Sequence, residues 1–269
     1  VSNVPKLILV SNVLMASAFV SKQQKKERIL RKIAKLQAEL EELERKPRML
    51  ELFKGTGSIG KIAEEMGYEV VSLDILAKYK PTIVSDILTW DYTEYEPGYF
   101  DVIWSSPECK IFSPLQTTHC MKVGKTQADY KKKMKWESME HLWNAQQENG
   151  KFVKQVLKII KYFEPKEWFI ENPWYSKMKD LEFMKDLPSY RFDYCRFGYP
   201  YQKPTRIWTN KKFENMTCNC KKNPKTGKKH SFNIGISSAQ LLREGMDKDT
   251  TTLDQRYSIP PKLVKHLLE

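Results

Sequence analysis

The sequence predicts an α/β fold: a mainly parallel sheet with helices on both faces, plus an N-terminal helix. Three observations predict it. Short apolar runs alternate with amphipathic stretches, which is the pattern of a parallel sheet covered by helices. A glycine-rich turn follows the first apolar run after residue 47. The 269 residues are enough to bury one large core.

The N-terminal segment, residues 1–47, is predicted to be separate from the main domain. Leu7 to Val20 is apolar but broken by polar residues, and it is short for a membrane span. We expect a buried or partner-bound helix or strand there, rather than a signal peptide or anchor. No membrane association is therefore expected.

Residues 22–46 follow a helical pattern, because apolar residues recur at alternating steps of four and three. The recurring residues are Ile29, Ile33, Leu36, Leu40 and Leu43. This seam is typical of a coiled coil and suggests self-association through residues 22–46. An amphipathic helix packed on the main domain explains the same pattern equally well. Pro47 ends the segment.

The first strand of the main domain, predicted over Met49–Phe53, leads into a turn containing Gly55 and Gly57, followed by a helix. Glycine allows the backbone to turn tightly and to approach a bound cofactor. A second strand ends at Asp74, 19 residues after Gly55, which is the spacing at which an acid meets ribose hydroxyls. The pattern indicates an adenosine-containing cofactor and leaves NAD open.

A third strand, predicted over Thr82–Ser85, ends at Asp86. Its carboxylate could accept a hydrogen bond from an adenine amino group, or it could be an ordinary turn or N-cap aspartate. The fourth strand, Val102–Trp104, stops at Pro107 and is followed by Cys109. Ligands collect beyond the carboxyl ends of parallel strands, so this cysteine is a candidate nucleophile. The alternative is a small apolar core residue.

Residues 113–136 are predicted to form a mobile, lysine-rich loop that could close over a phosphate backbone. A long helix is expected from about Trp136 to Phe163, with an interruption at Asn149-Gly150. A fifth strand, Glu167–Ile170, then delivers Glu171-Asn172-Pro173 at its end. Glu171 is thus a second chemical group at the same edge of the sheet.

Residues 188–209 are aromatic-rich and strand-like, and they include Arg206 between apolar neighbours. An unpaired guanidinium there would be costly, so Arg206 is expected to meet a carboxylate or a ligand. The region 211–269 is predicted to be a small basic target-recognition and C-terminal part that packs back on the domain of residues 48–210. It ends with a predicted helix over residues 260–268.

Cysteine usage gives a partial metal pattern. Cys218, Cys220 and His230 have plausible zinc spacing, but no fourth ligand is evident, so no metal is assigned. Further ligands would have to come from distant positions, namely Cys195, His119 and Cys120. Five cysteines at irregular spacings do not form a disulfide framework, which indicates a reducing, intracellular setting.

The formal net charge of +13 favours a polyanionic partner such as nucleic acid. Cys109, Glu171, Arg206 and an adenosine-cofactor turn, together with this charge, suit one reaction. A thiolate that adds to carbon 6 of a flipped-out cytosine makes carbon 5 nucleophilic, so that it can accept a methyl group. The carboxyl group would act at ring N3 and the guanidinium at O2.

These residues resemble motifs of the DNA cytosine-C5 methyltransferase family, in its compact viral and phage form. Leu52 to Gly57 resembles the first motif, Ser106-Pro107-Glu108-Cys109 the Pro-Pro-Cys motif, and Glu171-Asn172-Pro173 the Glu-Asn-Val motif. Gln202 to Arg206 resembles the Gln-x-Arg-x-Arg motif.

The resemblance implies a Rossmann-like fold, S-adenosylmethionine as methyl donor and double-stranded DNA as substrate, with RNA as an alternative. It implies Cys109, Glu171 and Arg206 as catalytic residues. It also implies a set of cofactor contacts: Phe53, Gly55, Gly57, Asp74, Asp86 and Pro107.

The chain departs from the family pattern at two motifs. Glu108 replaces the second proline and should raise the pKa of the Cys109 thiol. Lys203-Pro204-Thr205 removes the first arginine of the last motif. Three rival functions follow: an amino-group methyltransferase acting on adenine N6 or cytosine N4, a catalytically inactive nucleic-acid-binding homologue, and an NAD oxidoreductase. The last leaves Cys109 and Glu171 without a role.

Overall fold

The computed structural model describes residues 4–119, 136–222, 224, 227, 229–230 and 257–269. All six lysines of the predicted lysine-rich loop lie outside these residues, and so does Cys120. The chain divides into two compact units, one ending at Lys46 and the other beginning at Pro47.

The first unit is a single helix, α1, over Val4–Glu44. This one helix contains Leu7 to Val20 and most of residues 22–46, for which the sequence predicts separate elements. The predicted seam is solvent-exposed, from 45% at Ile33 to 83% at Leu43. Self-association through this seam stays a prediction. Among the described residues, no helix has both the length and the apolar character required to cross a membrane.

In the described part of the second unit, seven strands form one sheet. They are β1 (Arg48–Leu52), β2 (Glu69–Asp74), β3 (Ile83–Val84), β4 (Val102–Ser105), β5 (Glu167–Pro173), β6 (Ser189–Asp193) and β7 (Pro204–Thr209). Their order is β3-β2-β1-β4-β5-β7-β6, and β7 alone runs antiparallel to its neighbours β5 and β6. The predicted α/β class with a mainly parallel sheet is confirmed.

In the same described part, three α-helices cover the sheet: α2 (Ser58–Glu65), α3 (Met139–Phe163) and α4 (Pro261–Leu268). Successive side chains of a strand point to opposite faces of the sheet, so each strand contributes residues to the hydrophobic core on each face. On the face that we call the α3 face, Leu50, Ile103 and Ile170 pack with α3. On the opposite, α2 face, neighbouring strand residues pack with α2 and α4.

Helix α3 is continuous, so the predicted interruption at Asn149-Gly150 is wrong. Gly150 is buried within the helix, and a Cβ atom there would lie 3.5 Å from the Leu181 side chain. This distance is an ordinary van der Waals contact, and the helix tolerates the glycine at a cost of about 1 kcal/mol.

Strand β5 is longer than the sequence suggests. It continues to Pro173, because Glu171 and Asn172 pair with Ile207 and Arg206 of β7. Glu171 and Asn172 therefore belong to the ladder itself, and the pleat places their side chains on opposite faces.

Candidate active site

The turn after β1 has left-handed backbone at alternate positions, with φ of 58° at Phe53, 49° at Gly55 and 68° at Gly57. Glycine adopts this region at little cost, whereas Phe53 does so under strain of about 1–3 kcal/mol. Such strain is concentrated at ligand sites. The turn lies at the carboxyl edge of the sheet, partly exposed from Phe53 to Thr56 and buried at Gly57.

Asp74 fastens this turn to the end of β2. Its Oδ2 accepts a hydrogen bond from the Gly55 amide at 2.9 Å, and its Oδ1 accepts one from the Leu76 amide at 2.8 Å. An ionised carboxylate has about four acceptor positions, so two remain for ribose hydroxyls. The acceptor capacity of Asp74 therefore fits the ribose hydroxyls of an adenosine-containing cofactor.

Asp86 lies in a turn, where its Oδ1 accepts a hydrogen bond from the Leu88 amide at 2.9 Å. This bond is the turn arrangement that the sequence leaves as an alternative. The carboxylate keeps acceptor capacity for an amino group. Its cofactor role stays a prediction.

Glu51, which the sequence reasoning misses, lies buried on the α2 face beneath the turn. Its Oε1 accepts a hydrogen bond from the Gly60 amide, and a Cβ atom at position 60 would approach its Oε2 to 2.7 Å. Burial is the main cause that raises the pKa of Glu51 to about 7. In the sequence, a glutamate within an apolar strand is the pattern that could have indicated this buried carboxyl group.

Cys109 lies in the turn that follows β4, half-buried, with its carbonyl accepting a hydrogen bond from the Phe112 amide. The buried Asn172 amide donates to the Pro107 carbonyl at 3.0 Å. This bond crosses from β5 to the cysteine turn. It holds the ends of β4 and β5 together, so the thiol and Glu171 lie at one edge of the sheet.

Glu171 is buried on the α2 face, and burial raises its pKa. The Ser106 hydroxyl and the Lys203 charge oppose the rise. Ser106 also accepts a hydrogen bond from the Trp104 indole at 3.0 Å, which fixes the hydroxyl beside the carboxyl group. A neutral Glu171 can donate a proton, which is what an acid at ring N3 must do.

Burial also raises the pKa of the Cys109 thiol, and the Glu171 charge is the second cause. Lys203 lowers this pKa, and Glu108, which is solvent-exposed, is the smallest of the contributors. The substitution of the family's second proline therefore matters less to the thiol than Glu171 and Lys203 do. The Cys109 thiol, the Glu171 carboxyl group and the Lys203 ammonium group thus interact electrostatically.

Lys203 is the second residue that the sequence reasoning misses. Its ammonium lies 4.9 Å from the ring centroid of the buried Tyr194. Its charge acts on both Glu171 and Cys109. The signal was present in the sequence, since Lys203 lies within the segment that resembles the last motif.

Arg206 is not brought together with Glu171. It pairs with Asn172 across the β5–β7 ladder, so its side chain lies on the α3 face. Its guanidinium stacks 3.8 Å from the Trp174 ring centroid and donates to the Ser189 hydroxyl at 2.7 Å. Burial lowers its pKa. The predicted contact of Arg206 with the cytosine O2 stays a prediction.

Comparisons with known proteins give one relative of high coverage. The chain is 32% identical over 233 residues to a probable DNA (cytosine-5)-methyltransferase of Frog virus 3. The alignment covers 82% of this chain and 99% of the relative. No family profile matches the chain.

Two solved structures resemble parts of the fold. A methyltransferase of Entamoeba histolytica, EhMeth, has a TM-score of 0.43 and 14% identity, covering 75% of this chain and 66% of that one. The Dnmt2 methyltransferase of S. pombe has a TM-score of 0.42 and 14% identity, covering 63% and 53%. The chain thus spans between half and two thirds of these structures' lengths.

Proposed function

Because the chain belongs to the DNA cytosine-5 methyltransferase family, we propose that it methylates carbon 5 of a flipped-out cytosine in double-stranded DNA through a covalent Cys109 adduct, with S-adenosylmethionine as donor. The observation that carries the proposal is the pairing of a thiol with a buried carboxyl group of raised pKa at one sheet edge. An addition reaction across the cytosine ring requires a nucleophile and an acid together.

Cys109 supplies the nucleophile. Its thiolate sulfur bonds to carbon 6 of the ring, and the electrons of the C5–C6 double bond move towards N3. The ring then becomes an enamine with a nucleophilic carbon 5. After methylation, loss of the carbon 5 proton to solvent and cleavage of the sulfur–carbon bond restore aromaticity and free the thiolate.

Glu171 supplies the acid. Its buried carboxyl group, whose pKa burial raises, donates a proton to N3 as sulfur adds, so that no isolated negative charge builds on the ring. It takes this proton back when the sulfur–carbon bond breaks. A neutral Glu171 also removes the main charge that opposes ionisation of Cys109. The site needs one thiolate and one neutral carboxyl group, and Lys203 balances that single negative charge.

The residues that would hold S-adenosylmethionine are those of the turn after β1 and the following acids. The backbone of the turn from Phe53 to Gly57 would contact its adenosine. Asp74 would accept hydrogen bonds from the ribose hydroxyls, and Asp86 would accept one from the adenine amino group. Pro107 lies next to this edge and is the remaining predicted contact. When bound, the cofactor supplies an electrophilic methyl group.

Trapping on a duplex that carries 5-fluorocytosine tests the proposal. Fluorine at carbon 5 blocks the final elimination, so an enzyme that uses a cysteine adduct stays attached after methylation. With S-adenosylmethionine present, we expect a species of lower mobility on a denaturing gel, absent in Cys109→Ala. Peptide mapping of the adduct should identify Cys109 as the attached residue.

Three outcomes would contradict the proposal. Methylation of an exocyclic amino group without an adduct would favour the amino-group rival. DNA binding without adduct or methylation over many mixed sequences would favour the inactive homologue. An adduct formed on single-stranded RNA but not on duplex DNA would move the substrate class to RNA.

A further inference from the structure

A cluster of four potential metal ligands lies outside the proposed active site. The ligand atoms of Cys195, Cys218, Cys220 and His230 all lie within 4.8 Å of one another. Two of them, Cys218 Sγ and His230 Nε2, are 3.5 Å apart. Cys195 thus joins the three residues that the sequence marks as an incomplete zinc pattern.

The fold brings Cys195 to this cluster through pairing at the edge of the sheet. Met216 bridges Phe192 of β6, and its amide donates to the Arg191 carbonyl at 2.7 Å. The Asp193 amide in turn donates to the Met216 carbonyl at 3.0 Å. These bonds place the segment that contains Cys218 and Cys220 beside the turn that contains Cys195.

Asp193 orders the cluster further. It is fully buried, and its Oδ2 accepts hydrogen bonds from the Cys218 amide at 2.8 Å and from the Gln202 side chain at 2.6 Å. Arg191 completes its contacts through a two-pronged pairing at 2.9 and 3.1 Å. The backbone at Cys218 is therefore fixed by a buried, fully paired carboxylate.

We propose that Cys195, Cys218, Cys220 and His230 bind one structural Zn²⁺ ion. Three thiolates and one imidazole form a closed tetrahedral donor set that is typical of structural zinc. Bonds of about 2.3 Å to sulfur and 2.0 Å to nitrogen place neighbouring donor atoms about 3.5–3.8 Å apart. The observed cluster requires a contraction of about 1 Å at most to reach that spacing.

The ion closes a basic loop. Residues 221–229 lie between two of its ligands and contain five lysines and no acid. A zinc centre with three thiolates and a neutral histidine has a net charge of −1, which offsets part of the repulsion among these lysines. The ion would thereby join the two ends of this segment, Cys220 and His230, to Cys195. The chain neighbour of Cys195, Tyr194, contacts Lys203 near the proposed catalytic carboxyl group.

Metal analysis of the untagged chain, purified without chelators, tests the site. We expect about one zinc per chain in the wild type and in Cys109→Ser, the control that removes a cysteine outside the cluster. Cys218→Ser and Cys220→Ser should bind zinc at least about 10-fold more weakly, whereas Cys220→His, which keeps a donor, should retain it.

Cobalt titration of the metal-free wild type keeps the test independent of whether the variants fold. Intense visible bands and thiolate-to-cobalt charge transfer, lost on addition of zinc, are expected of a tetrahedral Cys₃His site. A folded wild type without zinc and without these bands would overturn the proposal. A disulfide among Cys195, Cys218 and Cys220 in protein kept under reducing conditions would overturn it too. Neither readout depends on methylation.

Discussion

The two faces of the sheet differ in the charged side chains that they bury. On the α2 face, Glu51 and Glu171 are buried carboxyl groups, and burial raises the pKa of each. On the α3 face, Arg206 is a half-buried guanidinium stacked on Trp174. The two carboxyl groups whose pKa burial raises thus lie on one face, and the cation that acts on Glu171 is Lys203, not Arg206.

The pleat of a strand distributes the side chains of one sequence motif between the two faces of the sheet. Residues of one linear motif separated by an odd number of positions point to opposite sides of a strand. A motif match therefore locates Arg206 along the chain, while the ladder with β5 decides which face its side chain occupies. Substitutions at Glu171, Lys203, Arg206 and Glu51 test this difference between the two faces.

Glu171→Gln should lower the single-turnover methylation rate by about 10²–10³-fold. Glutamine keeps the volume and a hydrogen-bonding group for Ser106 but has no acidic proton for N3. The matched control is Glu108→Gln, which neutralises an exposed carboxyl group next to Cys109 and should change the rate less than about 3-fold. Equal losses in both variants would remove Glu171 from the role of acid.

Lys203→Met should lower the same rate by about 10–100-fold and shift the pH–rate profile to higher pH. The reason is that the lysine charge lowers the pKa of Cys109, so its loss leaves less thiolate at neutral pH. Thiol alkylation rates of Cys109 measured against pH should shift in the same direction.

Arg206→Met is the counterpart on the other face, and the rate should change less than about 5-fold, since the guanidinium contacts Trp174 and Ser189. The pH–rate profile should be unshifted. A loss larger than that of Lys203→Met would instead support the contact with the cytosine O2 that the family resemblance implies for Arg206.

Glu51 gives a prediction of stability on the α2 face. Its pKa of about 7 in the folded state lies above the unfolded value near 4.5, so its protonation stabilises the fold. This contribution is complete below pH about 4.5 and is lost as the pH rises through about 7. Between pH 5 and 8 the free energy of unfolding of the wild type should fall about 1–3 kcal/mol more than that of Glu51→Gln.

Urea denaturation at several pH values, without cofactor, measures this difference. Glu65→Gln, which alters an exposed carboxyl group on α2, is the control and should keep the wild-type slope. A wild-type slope equal to that of Glu51→Gln would show that Glu51 does not titrate in this interval.

Sequence periodicity predicts the strands, the glycine turn and the positions of Cys109 and Glu171 at strand ends. Each of these depends on neighbours in the chain: apolar runs, a proline stop, a glycine pattern. The prediction fails at Gly150, where the helix continues through the glycine and buries it next to Leu181. That contact joins distant segments and leaves no local trace.

Three site features depend wholly on tertiary placement. The face of Arg206 is set by the register of β7 against β5, and the influence of Lys203 on Cys109 acts across separate segments. Cys195 reaches the cysteine–histidine cluster only through the pairing of Met216 with β6. Linear spacing could supply three of those ligands but not the fourth.

The hydrogen bond from Asn172 to the Pro107 carbonyl has an evolutionary consequence. It ties the nucleophile turn to the strand that carries the acid, so a shift of one is transmitted to the other. A lineage that changes its target sequence must leave this pair intact and vary the surfaces around it. The exposed basic residues after residue 210, which neither bind the proposed zinc ion nor pack in the core, are then freer to change than the catalytic edge.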